Sequence, residues 1–146
     1  MNIKFSIITK RSYSEMVLDT NSHSVFSLNY HLILVTKYRR QVFDDEVSGR
    51  AKAIFDRIAP DYKIEVIEWN HDKDHVHILF KAHPKTQISK FINTYKSASS
   101  RLLKKEFPQI KTKLWEDKFW SQSFCLITTG GAPLEVINQY IINQGK

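Results

Sequence analysis

The sequence predicts an α+β fold, an antiparallel sheet built in the order β-α-β-β-α-β with one more helix at the C-terminal end. Three observations predict it. Four runs rich in β-branched, aliphatic and aromatic residues stand at 28–38, 62–69, 75–81 and 119–129. Between the first and second, and again between the third and fourth, apolar residues recur every three or four positions, as an amphipathic helix requires. Pro60, Pro84, Pro108 and Pro133 all fall at the joints between these segments.

Taken in order, residues 1–25 lack a clear period and read as an N-terminal arm or short edge strand, leaving 26–146 as a single domain. Residues 28–38 read as a central strand, because a strand buried on both sides need not alternate. Asp44 is placed to cap a helix whose stripe is Val47, Ala51, Ile54, Phe55 and Ile58, closed by Pro60. A second strand at 62–69 turns through polar residues 70–74 into a third at 75–81. A second helix starts near Thr86 with Ile88, Phe91, Ile92, Tyr95, Leu102 and Leu103 inward, and ends at Pro108. After the fourth strand Gly130-Gly131 breaks the chain, Pro133 suits a first helical turn, and Leu134, Ile137 and Ile141 make the last buried stripe. The order is the ferredoxin-like, or RRM-like, split pattern.

Composition narrows the function. In 146 residues, 22 Lys and Arg against 15 Asp and Glu leave a net charge of +7, which points to a polyanion, nucleic acid before anionic membrane. The single cysteine, Cys125, excludes a disulfide framework and a multi-thiolate zinc site, suits the cytoplasm, and reads as core packing. No apolar run approaches the roughly 18 residues of a membrane span. There is no Gly-x-x-x-x-Gly-Lys, Gly-x-Gly-x-x-Gly or Gly-x-Ser-x-Gly, so no nucleotide cofactor and no serine hydrolase is expected.

Two constellations could carry chemistry. His75-Val76-His77 puts two imidazoles on one face of a strand, ~6–7 Å apart, close enough to pinch a divalent cation; the same pattern also describes two solvated histidines. Tyr140 and Gln144 share one face of the last helix, turned from its apolar stripe. A phenol with a pKa near ~10 is a poor nucleophile unless a metal polarises the phosphate it attacks, and without one the pair is an ordinary amphipathic helix. Glu68, Asp72 and Asp74 could orient an imidazole. His23, His31, His71 and His83 have no partner at ligand spacing and read as surface or satisfied histidines. Lys37, Arg39 and Arg40, then Lys90, Lys96, Arg101, Lys104 and Lys105, then Lys111 and Lys113, are interleaved with Tyr38, Trp115 and Trp120. Such a mixture suits phosphate pairing and base stacking, as well as a solvated helix face.

Together these pieces resemble one family. Tyr30-His31-Leu32-Ile33-Leu34-Val35-Thr36-Lys37-Tyr38-Arg39-Arg40 is similar to its opening strand and basic turn, and Asp72-Lys73-Asp74-His75-Val76-His77-Ile78-Leu79 to its metal strand. Phe119-Trp120-Ser121-Gln122-Ser123-Phe124, Gly130-Gly131-Ala132-Pro133 and Gln139-Tyr140-Ile141-Ile142-Asn143-Gln144 are similar to its last strand, hinge and catalytic helix. The family is that of the TnpA-type single-tyrosine transposases of small bacterial and archaeal insertion sequences, in the HUH (His-hydrophobic-His) endonuclease superfamily. The resemblance runs from about Tyr30 to Gln144.

The resemblance implies a single-stranded DNA transposase that recognises hairpins near the element's ends. It implies His75, His77 and Gln144 as ligands of Mg²⁺ or Mn²⁺, and Tyr140 as the nucleophile that forms a 5′-phosphotyrosine link and frees a 3′-OH. It also implies a homodimer in which the tyrosine helix of one subunit serves the histidines of the other, swung on Gly130 and Gly131. Softness of ligands alone would have suggested a transition metal. Lys37, Arg39, Arg40, Arg101, Lys104 and Lys105 are the expected DNA contacts. Two other functions fit the same residues: a domesticated relative acting on host repeat hairpins, and a ferredoxin-like binding module without catalysis.

Overall fold

Leu32 and Leu34 face one side of their strand and Ile33 and Val35 the other, and all four are buried. A strand covered on both sides belongs at the centre of its sheet. The computed structural model describes residues 19–20, 25–26, 28–128 and 134–145 and bears this out. A two-residue pair, β1 (Asp19–Thr20) and β2 (Val25–Phe26), forms a small antiparallel ribbon of its own. The main elements follow as β3 (Asn29–Val35), α1 (Asp45–Ile58), β4 (Glu65–His71), β5 (His75–Lys81), α2 (Ile88–Glu106), β6 (Cys125–Thr128) and α3 (Leu134–Asn143). The four-stranded sheet has the order β4-β5-β3-β6, antiparallel throughout, which is the expected ferredoxin-like arrangement.

Local chemistry explains most of the boundaries. The Asp44 carboxylate accepts a 2.8 Å hydrogen bond from the Val47 amide and so caps α1. β3 stops at Val35, short of the expected 38, because Tyr38 and Arg39 adopt left-handed backbone (φ 56° and 54°) within a short 3-10 turn. β4 bulges between Val66 and Glu68, which leaves Ile67 exposed on an edge strand.

The largest departure is the fourth strand, expected over 119–129 and observed only at Cys125–Thr128. Phe119 and Trp120 turn into the core, and Trp120 makes a single bridge to Thr36. The Lys96 ammonium then donates to the backbone oxygens of Ser121, Gln122 and Ser123 at 2.7, 3.1 and 3.4 Å. Carbonyls held by a lysine on α2 are not spent on a ladder. Pro133, the glycines Gly130 and Gly131 and most of the N-terminal arm lie outside the described residues.

The sheet has helices on both faces. Against one face α1 and α2 pack an aromatic cluster in which the Phe55 ring meets Phe91, Tyr95 and Trp69 edge-on at 4.9, 5.1 and 5.7 Å. The fully buried Tyr95 hydroxyl donates to the Ala51 carbonyl at 2.9 Å, and burial pushes it well above its usual range. Against the other face α3 lays Ile137 and Ile141 on Ile33 and Val35. Among the described residues no helix is long and apolar enough to cross a membrane.

Candidate active site

Antiparallel register decides which side chains share the α3 face. His77 stands opposite Ile33 and His75 opposite Val35, so both imidazoles point to the side that α3 covers. Their neighbours Val76, Ile78 and Phe80 enter the aromatic core. The alternation expected from the sequence is therefore correct, but the face is not solvated. His75 and His77 are each 1 % exposed.

His75 is held from behind. The Asp74 carboxylate accepts from His75 Nδ1 at 2.8 Å and from Arg39 Nε at 2.8 Å. Burial alone would raise the Asp74 carboxyl, and the hydrogen bonds from His75 and Arg39, with the Arg39 charge, outweigh it and hold the group below the ordinary carboxylate range. With Nδ1 committed as a donor to the carboxylate, Nε2 is the ring atom left to offer a lone pair. That atom is buried without a hydrogen-bond partner among the described residues. A carboxylate–imidazole pair presenting a bare nitrogen is the usual outer support of a metal ligand, so His75 fits a divalent cation. Of the three acidic residues suggested for this task Asp74 performs it, while Glu68 accepts from Asn70 and Asp72 from the Lys73 amide.

Of the two readings for His31, surface or satisfied, the structure supports the second: it is fully buried, with Nδ1 3.1 Å from His77 Nε2 and the two rings stacked at 5.3 Å. Residue 31 shares the face of Ile33 and Val35, as alternation predicts. Its meeting with a ring 46 positions away depends on strand register, which no local pattern encodes. Burial lowers His31 from 6.5 to about 4. Burial, then the neighbouring His31 and His75, lower His77 to about 3.

These shifts set a pH dependence of stability. The unfolded chain protonates both histidines near pH 6.5, whereas the folded chain resists until about 4 and about 3. Stability is therefore full above pH 6.5 and drains away as the pH falls towards 3. The thermal midpoint of the wild type should drop across pH 6.5 to 4, and the drop should be shallower in His31→Gln; equal slopes would mean His31 is not buried neutral.

Tyr140 comes from the last helix and Gln144 from the turn just past its end. The Tyr140 ring is half-buried against the cluster of Ile33, Val35, Ile137 and Ile141, so it packs with the apolar stripe instead of turning away from it. Its hydroxyl lies 2.8 Å from Ser123 Oγ. Burial raises the phenol above its usual value, partly opposed by that hydrogen bond. The Gln144 amide oxygen accepts from Ser121 and Ser123, and the following Gly145 sits against the Arg39 side chain. The hydrogen bonds of Tyr140 and Gln144 thus run to the approach of β6, while the histidines stand on β5, and β3 lies between. Ser121 and Ser123 stood in the sequence only as part of the expected last strand and Lys96 only as one of the basic residues; that they meet Tyr140 and Gln144 depends on tertiary contacts. Among the described residues no three His, Cys, Asp or Glu side chains converge as a metal site, and Gln144 belongs to none of those types.

Arg39 is engaged with Asp74, and Lys104 with the Asp117 carbonyl at 3.0 Å. Arg101, Lys104, Lys105 and Lys111 line one cleft of about 600 Å³ along α2. Lys37, Lys96, Lys104 and Lys118 line a second of about 380 Å³, and the two share Ser97, Ser100, Lys104 and Asp117. Apposed lysines and serines of this kind make an anion-attracting groove.

An antiparallel split sheet with a tyrosine-bearing helix on its histidine face is the architecture expected of a single-tyrosine transposase. Comparison with known proteins agrees. Residues 24–144 match the family described as Transposase IS200 like. The chain is similar to the ISDra2 transposase TnpA of Deinococcus radiodurans, at 39 % identity over 82 % of this chain and 86 % of that protein. It is also similar to the transposase for insertion sequence element IS200 of Salmonella typhimurium, at 28 % identity over 84 % and 80 %. Among solved structures, one from Deinococcus radiodurans r1 assigned as a transposase superposes with a TM-score of 0.75, at 36 % identity over 86 % of this chain and 97 % of that one. A REP-associated tyrosine transposase bound to a REP hairpin shares the fold, with a TM-score of 0.54 at 10 % identity over 84 % of this chain and 67 % of that one. The chain belongs to the IS200-like family of transposases, of the TnpA type.

Proposed function

We propose that this transposase cuts and rejoins single-stranded DNA at hairpin-bearing ends of an insertion sequence, with Tyr140 as nucleophile and His75, His77 and Gln144 as ligands of Mg²⁺ or Mn²⁺. The observation that carries the proposal is His75 Nε2, a buried bare nitrogen backed by Asp74 and Arg39 on the face that also receives the tyrosine helix. When bound, the cation would draw charge from the scissile phosphate and make phosphorus a better electrophile.

The residues of the chain then do the following. Tyr140 Oη attacks phosphorus and releases its proton to solvent, with the contacting Ser123 hydroxyl holding the phenol oxygen; the departing 3′ oxygen takes up a proton in turn. The bond from phosphorus to the 3′ oxygen breaks, a 5′-phosphotyrosine link forms, and the 3′-oxygen leaves as a hydroxyl. Reversal by a 3′-OH restores the phenol and joins the strand, so no nucleotide is consumed. Because β3 separates the tyrosine's anchorage from the histidines within one chain, a homodimer with tyrosine helices acting in trans completes the reading.

Its test is a denaturing gel of the protein with single-stranded element-end DNA and Mg²⁺. A covalent protein–DNA band and a shortened 3′-ended fragment are expected, and both should vanish with EDTA. A cleaved product with no adduct would exclude the tyrosine route.

A further inference from the structure

The three aromatic residues interleaved with the basic stretches do not stay together in the fold. Trp120 is buried, its indole N–H donating to Ser99 at 2.9 Å. Tyr38 and Trp115, 77 positions apart in sequence, meet at the surface, 40 % and 42 % exposed, with ring centroids 5.4 Å apart at 88°. The Lys37 ammonium stands 5.1 Å over the tyrosine and the Lys118 ammonium 5.7 Å over the indole. Each ring of the pair thus carries its own ammonium group. Two exposed rings left in water cost solvation with no gain to the core, so packing alone does not explain them.

The backbone is bent to present them. Tyr38, Arg39, Glu116 and Asp117 all have positive φ, between 50° and 62°, a conformation that bulky residues avoid and that collects at functional sites. The two loops are tied together by the Lys37 backbone amide, which donates to the Phe119 carbonyl at 2.9 Å, and the second loop closes on itself where the Lys118 amide donates to the Trp115 carbonyl at 3.1 Å. Arg39 turns inward to Asp74 while its neighbour Tyr38 turns outward, and Lys37 and Lys118 continue into the lysine-lined groove. Ring faces beside ammonium groups, at the mouth of a basic groove, match what an unpaired nucleotide offers, a flat base and a charged phosphate.

We infer that Tyr38 and Trp115 form a stacking platform for an unpaired base of single-stranded DNA, with Lys37 and Lys118 pairing the flanking phosphates. The inference rests on the DNA-cleaving reading above and adds a binding site outside its catalytic set. Stacking of one base predicts about a tenfold loss of affinity when the indole is removed. A phosphate-only contact would instead change the salt dependence.

The test measures binding of the full chain, without divalent cation, to a fluorescent oligo-dT and to a blunt duplex of the same length. A 2-aminopurine oligonucleotide reports stacking by its quenching. Trp115→Ala should bind oligo-dT about tenfold more weakly with an unchanged salt slope, lose the quenching and bind the duplex as before. Trp115→Phe should retain both affinity and quenching, and Trp115→Leu replaces the alanine variant if that one melts early. Undiminished oligo-dT affinity and quenching in the Ala or Leu variant, with wild type binding normally, would overturn the platform alone. Wild type that binds neither DNA would overturn the platform and the DNA-cleaving reading together.

Discussion

Tyr140→Phe should abolish the covalent protein–DNA adduct and lower strand cleavage by at least ~10⁴-fold, the scale on which removal of a nucleophile acts. The change deletes one oxygen and leaves the ring. Because that ring packs against the cluster of Ile33, Val35, Ile137 and Ile141, α3 should stay docked. The loss of the Ser123 contact should cost about 1 kcal/mol, within the usual range for one hydrogen bond. Affinity for hairpin DNA should be unchanged, since the basic groove along α2 does not include Tyr140. Thermal melting, a binding titration and a denaturing gel separate the three quantities. Adduct formation by the phenylalanine variant would mean that another residue attacks.

Replacing both His75 and His77 with Ala should eliminate cleavage that depends on Mg²⁺ or Mn²⁺, because no imidazole then remains on β5 to hold the cation. Mn²⁺ titration by calorimetry or EPR gives a readout independent of turnover and should show the high-affinity site gone. A graded variant makes the cause visible. Asp74→Ala keeps both imidazoles but frees the His75 Nδ1 that the carboxylate now holds at 2.8 Å, and loss of such support typically weakens a metal about 10–100-fold. It also releases Arg39, whose side chain touches the end of the tyrosine helix. The Ala variants should still bind hairpin DNA. Unaltered Mn²⁺ affinity in the double variant would remove the histidines from the metal site.

The legible part of the fold was the part written in short-range periodicity. Apolar spacing along 45–58 and 88–106 placed both helices, Asp44 marked a start, and the third strand was read with the bounds it has, His75–Lys81. Alternation put His75 and His77 on one side and Val76, Ile78 and Phe80 on the other. The fourth strand was overlong because Phe119 and Trp120 have strand composition but a core destination. The lysine that diverts the next three carbonyls lies 25 positions upstream.

By itself the sequence determined the element order, the basic character, the paired imidazoles and the tyrosine four residues before a glutamine, because each depends on neighbours within a turn or a pleat. Only the tertiary structure decided that the histidine face is dry, that His31 lies against His77, that Arg39 serves Asp74, and that Tyr38 meets Trp115 in the open. Those four facts depend on which strands pair, in what register and under which helix. Such choices are made by burying the most apolar surface of the whole chain at once, and no window of residues contains them.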